Sequence, residues 1–177
     1  SKTFELLKKY NKKFLFASSQ MSNMNYSNYG ILKLIGEKIS KTTNGLVVKF
    51  WNVYGLEKDI SKSHVITDFI LMAIKNKKIK MLTNGKESRD FLYADDCCEG
   101  LEIAMKKHTQ FIKQGISIDI ASGKEIKIIN IAKIIKKIFK KENVDIQIKA
   151  KKLKDLIQVN KRNKVNKYFL KFWKPKT

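Results

Sequence analysis

Arginine is almost missing from this chain. Of its 38 basic residues only Arg89 and Arg162 are arginine; the rest are lysine. The formal net charge of +22 invites a nucleic-acid reading. Proteins that read nucleic acid favour arginine for its forked, bidentate geometry, however, and lysine is spread here along the whole length among many Asn and Ile. Solvated lysine faces explain the charge better, and no nucleic-acid partner is expected. Cysteine is scarce too. Cys97 and Cys98 are neighbours that cannot easily form an ordinary disulfide, and no His or Cys stands at zinc-like spacing. That excludes a disulfide scaffold and a structural zinc site, fits a reducing cytosol, and assigns the pair to small buried apolar roles. No run of about 18 apolar residues is present, so no membrane span is expected. No signal-peptide pattern, internal repeat or low-complexity linker is visible either.

What is present suffices for a globular core: 177 residues with 43% hydrophobic content. The opening residues read as the end of a helix running into a strand. Lys13 to Ser19 is a short apolar run ending in small polar residues, as in a buried parallel strand whose carboxyl end opens on a site. A helical pattern from about Tyr26 to Thr43 carries Ile31, Leu32, Ile35 and Ile39, with Gly30 and Gly36 placed for close packing on the sheet. Asn44-Gly45 ends it. Leu46 to Trp51 reads as a second buried strand, so the order is strand, helix, strand, a βαβ crossover.

Further on, the pattern predicts a helix over His64 to Asn76 and a strand over Ile79 to Leu82. Thr83 to Lys86 has the Asn-Gly signature of a tight hairpin, followed by a strand over Glu87 to Tyr93. A helix over Ala94 to Lys107 comes next, then a strand over Ile116 to Ile120. A helix over Ile128 to Lys140, a last strand over Val144 to Ile148 and a short helix near Val165 to Leu170 complete the chain.

Chemistry concentrates in Ser18 to Lys33. Tyr29 and Lys33 are four residues apart, which on a helix stacks them one turn apart on one face. A free Tyr has a pKa of about 10 and is a poor base near neutral pH; an ammonium beside the phenol favours the phenolate. Ser18 or Ser19, at the end of the preceding strand, could hold a substrate oxygen against that phenol. The constellation suits proton transfer on a hydroxyl group. Taken alone, the Tyr-x-x-x-Lys spacing fits equally an amphipathic helix with a half-buried Tyr and a solvated Lys.

Six motifs in one order point further. They are Phe16-Ala17-Ser18-Ser19; Tyr29 to Lys33 with Glu37 following; Lys49-Phe50-Trp51-Asn52-Val53-Tyr54-Gly55; Gly85 to Asp96; Ile118 to Glu125; and Trp173-Lys174-Pro175. Together the chain resembles the NAD-dependent epimerase/dehydratase family, the extended short-chain dehydrogenases/reductases that act on nucleotide sugars. The resemblance implies an α/β fold: the C-terminal part of a Rossmann-like parallel sheet with a small α/β substrate-binding domain. Residues 1–60 would form the catalytic half, and 61–177 mostly the substrate domain, with segments returning to the sheet.

By that resemblance Tyr29 is the general acid/base, Lys33 contacts the nicotinamide ribose, and Ser19 shares the substrate hydroxyl. Trp51 lies near the nicotinamide and Asn52 contacts the substrate. Arg89 clamps a diphosphate, the alternative being a surface ion pair with Asp90 or Glu87. His64 is a substrate contact or a helix cap. The cofactor is NAD or NADP, the substrate a nucleotide sugar, the location cytoplasmic, and a homodimer is possible. The family's glycine-rich phosphate loop is absent. The resemblance therefore implies a fragment that binds NAD poorly and exposes a hydrophobic face and an unpaired sheet edge, with a non-catalytic scaffold as the alternative. The ten-residue step from Ser19 to Tyr29, and Met21-Ser22-Asn23-Met24 after the serine pair, depart from the family pattern and leave the sugar open.

Overall fold

The computed structural model describes residues 2–23, 27–151 and 164–177. In chain order its elements are α1 (Lys2–Lys9), β1 (Phe14–Ser19), α2 (Asn28–Lys41), β2 (Gly45–Phe50), β3 (Asn52–Tyr54), α3 (Val65–Asn76), β4 (Lys78–Lys80), β5 (Ser88–Tyr93), α4 (Ala94–Lys106), α5 (His108–Lys113), β6 (Ile118–Ile120), β7 (Glu125–Lys127), α6 (Ile128–Lys141) and β8 (Gln147–Lys149). Short 3-10 turns lie at Gln20–Asn23, Ile60–Lys62 and Phe169–Lys171. The residues divide into two compact units. One takes Ser1–Val53, Leu92–Gly123 and the tail, the other Tyr54–Phe91 and the segment after Lys124.

In the first unit β1, β2 and β6 form a parallel sheet in that order, with Phe14 opposite Gly45 and Val48 opposite Ile118. The central strand β2 buries Gly45 through Val48 completely, which is why its Leu-Val-Val run shows no alternation. Leu46, Val48, Leu92, Ile118 and Ile120 form the core with Phe111, Phe169 and Trp173. Phe111 stands edge-on to Phe169 and Phe172 at centroid separations of 5.8 and 5.3 Å, a favoured aromatic geometry. The crossover helix α2 starts where the Ser27 hydroxyl accepts the Gly30 amide at 3.0 Å. It ends before Asn44, whose φ of 60° turns the chain into β2.

The face that α2 buries is not the apolar one. Gly30, Gly36, Glu37 and Ser40 are buried, whereas Ile31, Leu32 and Ile35 are exposed. Glycine is the reason: a Cβ on Gly36 would sit 2.2 Å from the Phe16 ring, so only a bare backbone lets the helix close on β1. In the middle of β6, Asp119 is buried and accepts the Asn166 backbone amide at 2.8 Å, drawing the tail onto the sheet. Burial lifts the Asp119 carboxyl above the ordinary carboxylate range, and the nearby Glu37 adds to the rise. The Asn166 amide, the Trp51 indole and Lys49 oppose it.

In the second unit Phe69 and Ala73 of α3, Ile131 and Ile135 of α6, Ile79 and Ile146 share one core. The expected tight hairpin at Thr83 to Lys86 does not form. β4 pairs in parallel with β8, Ile79 opposite Ile148, and β5 pairs antiparallel with β7, Arg89 opposite Ile126. The Asn-Gly signature is satisfied locally instead. The Asn84 side chain accepts the Lys86 amide, Gly85 adopts a φ of 71°, and the Gly85 carbonyl accepts the Ile129 amide. The strands flanking this turn find longer-range partners than each other. Helix α5 and strand β7 appear where no element was expected. The predicted helix near Val165 to Leu170 is only a 3-10 turn at Phe169–Lys171. Cys97 is buried but Cys98 is exposed, against the shared buried role expected of the pair. Burial and the neighbouring Cys98 push the Cys97 thiol up to about 11.

Two outcomes follow for denaturant unfolding. Gly36→Ala gains at most about 1 kcal/mol of helix propensity but loses roughly 1–3 kcal/mol to overpacking on Phe16, so the variant should be the less stable in urea. For Asp119 the folded pKa is raised, so its contribution is full below the unfolded value and fades as pH rises through the folded one. The Asp119→Asn variant keeps an acceptor for the Asn166 amide and carries no charge. Its urea midpoint should vary less with pH than that of the parent protein and should exceed it at pH 7.

Candidate functional site

Five of the seven candidate side chains fall in the first unit, around the carboxyl ends of β1 and β2. Ser18 and Ser19 close β1 and diverge in role. The Ser18 hydroxyl is buried and donates to Glu37 Oε1 at 2.5 Å. Ser19 Oγ accepts the Met21 amide at 3.2 Å, which leaves its own proton available to a ligand. Of the two serines open at the sequence level, the geometry thus leaves Ser19 as the one with capacity to spare.

Lys33 projects from α2 back onto β1, where its amine donates to the Ala17 carbonyl at 2.7 Å. The same nitrogen lies 5.6 Å from the Tyr29 ring centroid and 5.6 Å from that of Phe16, within cation–π range. The phenol and the ammonium therefore stand together, one turn apart. Tyr29 is 54% exposed and lines an open groove of about 410 Å³ with Lys33, Phe4, Phe16, Leu32 and Ile39.

Strand β2 leads through Trp51 to Asn52, both half-buried. The enclosed indole N–H of Trp51 stands near Asp119, short of a well-formed hydrogen bond. Behind them Lys49 pairs with Glu37 Oε2 at 3.2 Å and donates to Asn23 Oδ1 at 2.6 Å. This tie is the feature that sequence reasoning missed. Its signal was legible, because Glu37 continues the four-residue step from Tyr29 through Lys33.

The remaining two candidates lie in the second unit. His64 is at the amino-terminal cap position of α3, but its side chain makes no capping bond. It pairs with Glu57, which also accepts the His64 backbone amide at 3.1 Å. That pairing holds the Glu57 carboxyl below its ordinary range, against a smaller opposing effect of burial. Arg89 is half-buried on β5 and donates from Nη1 to the Ser88 carbonyl at 2.8 Å.

The donor set fits one end of a dinucleotide. Tyr29, Lys33 and Ser19 are a phenol, an ammonium and a hydroxyl at a strand end, suited to a ribose and the oxygen of a reacting alcohol. Within these 177 residues no glycine-rich turn links a strand to a helix to cradle the pyrophosphate. Among the described residues no cluster of three metal-ligating side chains occurs, and no helix is long and apolar enough to cross a membrane.

The chain is 28% identical over 155 residues to a putative UDP-glucose 4-epimerase of Methanocaldococcus jannaschii, covering 75% of this chain and 49% of that protein. It is 32% identical over 120 residues to GDP-L-fucose synthase of Sinorhizobium fredii, covering 60% of this chain and 37% of the other. The chain thus spans about half or less of the length of these curated relatives. In fold it resembles dTDP-glucose 4,6-dehydratase of Bacillus anthracis, solved in complex with NAD. The TM-score is 0.74 at 21% identity, over 99% of this chain and 60% of that one. UDP-glucose 4-epimerase of Thermotoga maritima, solved with UDP-glucose, gives a TM-score of 0.70 at 20% identity, over 98% and 62%. The α/β architecture with parallel strands is that of the Rossmann-fold epimerases and dehydratases. The model of the NAD dependent epimerase/dehydratase family matches residues 3–121, and the chain belongs to that family.

Proposed function

We propose that these residues form the catalytic and sugar-binding part of an NAD-dependent nucleotide-sugar epimerase or dehydratase that works by transient oxidation of a sugar hydroxyl. The observation that carries this reading is the placement of Lys33. Its amine is anchored on the Ala17 carbonyl, on the strand that ends in Ser19, and stands 5.6 Å from the Tyr29 ring; the Ser19 hydroxyl accepts the Met21 amide.

In this reading Tyr29 takes the proton from a sugar hydroxyl and later returns one. Ser19 donates to the same sugar oxygen and fixes it against the phenol. Lys33 supplies positive charge where the phenolate forms and holds the nicotinamide ribose, with Trp51 beside the ring. When bound, NAD would supply the hydride transfer that such an oxidation and its reversal require. Asn52 and His64 contact the substrate, and Arg89 offers its planar fork to the diphosphate. A second reading, a non-catalytic scaffold of the family, draws on the exposure of Tyr29, which is 54% open to solvent on a helix whose Ile31, Leu32 and Ile35 also face outward.

Purified protein incubated with NAD and UDP-, GDP- or dTDP-hexoses separates the two. Interconversion or dehydration of one sugar, followed by nuclear magnetic resonance, supports catalysis; absence of both NAD binding and turnover supports the second reading. In the active protein Tyr29→Phe should lower kcat about 10²- to 10⁴-fold, the usual contribution of a positioned acid/base, with KM for the sugar nucleotide little changed. Arg89→Lys should act on the other parameter. Loss of a charge-assisted, two-pronged contact should raise KM by about tenfold or more while kcat stays near that of the parent.

A further inference from the structure

Glu37 is 5% exposed and has no direct place in the chemistry described above. It nevertheless gathers two polar groups from two strands and, through one of them, a third from the turn after β1. Ser18 of β1 donates to one carboxylate oxygen at 2.5 Å, and Lys49 of β2 pairs with the other at 3.2 Å. Lys49 in turn donates to Asn23, in the turn after β1, at 2.6 Å. The Lys49 side chain is only 12% exposed, so neither charge is screened well by water.

Glu37 lies on the same helix as Tyr29 and Lys33, two four-residue steps from the phenol, about 12 Å along the axis at the ordinary helical rise. Its bond to Ser18 fixes where that helix stands relative to the strand end, and Ser19 is the very next residue. Side chains alternate along a strand, so a Ser18 committed to Glu37 also commits the direction of Ser19. The Lys49 pair carries the constraint across to β2, whose continuation bears Trp51 and Asn52.

We infer that Glu37 is a positioning residue, which locks the Tyr29-Lys33 helix in register with the Ser19 hydroxyl through Ser18 and with the Trp51-Asn52 segment through Lys49. The inference rests on the proposed catalytic reading for its effect on rate, but its structural half can be measured without turnover. Glu37→Met keeps about the length of the side chain while removing both the carboxylate acceptor for Ser18 and the charge that holds Lys49. Ser18→Ala removes the hydroxyl and leaves the ion pair. It serves as the second variant should the first fail to fold.

Hydrogen exchange of the Met21 amide, which donates to Ser19 Oγ, reports whether the Ser19 hydroxyl stays in place. In both variants it should speed up by about tenfold or more, with the amides of α4 unchanged. In the active protein kcat should fall about ten- to a hundredfold, as for a small misplacement of reacting groups, with KM for the sugar nucleotide within about twofold of the parent. Unchanged Met21 exchange overturns the inference, as does faster exchange with an unaltered kcat. If the parent protein shows no turnover, the catalytic reading fails, and the exchange rates alone decide whether Glu37 holds the strand end.

Discussion

A carboxylate held out of water needs compensation, and Glu37 draws it from a hydroxyl on one strand and an ammonium on the next. Desolvation costs several kcal/mol per ion even after relaxation, so one partner missing is far worse than all three absent. That asymmetry makes the contact demanding. Helix α2 has few other ways to hold its station, because most of its large apolar side chains face outward and its sheet-facing side is partly glycine. Close approach through Gly36 and the polar grip of Glu37 therefore work together: one permits the distance, the other chooses the register.

Everything chemical in the first unit hangs from the carboxyl ends of two neighbouring parallel strands. β1 delivers the serine pair, and β2 delivers Trp51 and Asn52 one and two residues beyond its last paired position. Parallel neighbours need a crossover, and the crossover here is the helix that carries the phenol and the amine. The same topology that builds the sheet thus returns the reactive groups to one end of it, as in open α/β sheets generally. Asp119, in the middle of the third strand, stands near Lys49 and Trp51 and anchors the tail by the Asn166 amide.

Much of this was legible beforehand. The uninterrupted Leu46-Val47-Val48 run announced a strand buried on both faces, and the Tyr29-to-Lys33 step announced stacked side chains on a helix. What escaped was set by long-range pairing. Asn84-Gly85 has the chemistry of a hairpin, but Ile79 finds a deeper partner in Ile148, sixty-nine residues on, so burial overrode the turn signal. The inward face of α2 was read in part: Gly30 and Gly36 were expected against the sheet and are buried, whereas the outward turn of Ile31, Leu32 and Ile35 does not follow from their spacing. Periodicity ranks Ile31, Leu32 and Ile35 above glycine, and it cannot see that a ring on β1 occupies the space their side chains would need. Short elements such as α5 and β7 carry too few residues to show a period at all. Of the site residues, those near β1, α2 and β2 could be brought together by one local crossover, whereas His64 and Arg89 belong to a separately packed unit.

Phe169 and Trp173 complete a core whose other walls are Leu46, Val48 and Ile120. On the ribosome these walls emerge long before the two rings do. At roughly 5–20 residues per second, the wait between Val48 and Trp173 is on the order of ten seconds, during which the second unit has been synthesised in between. A nascent first unit must therefore keep its half-built interior from sticking to other chains for that interval.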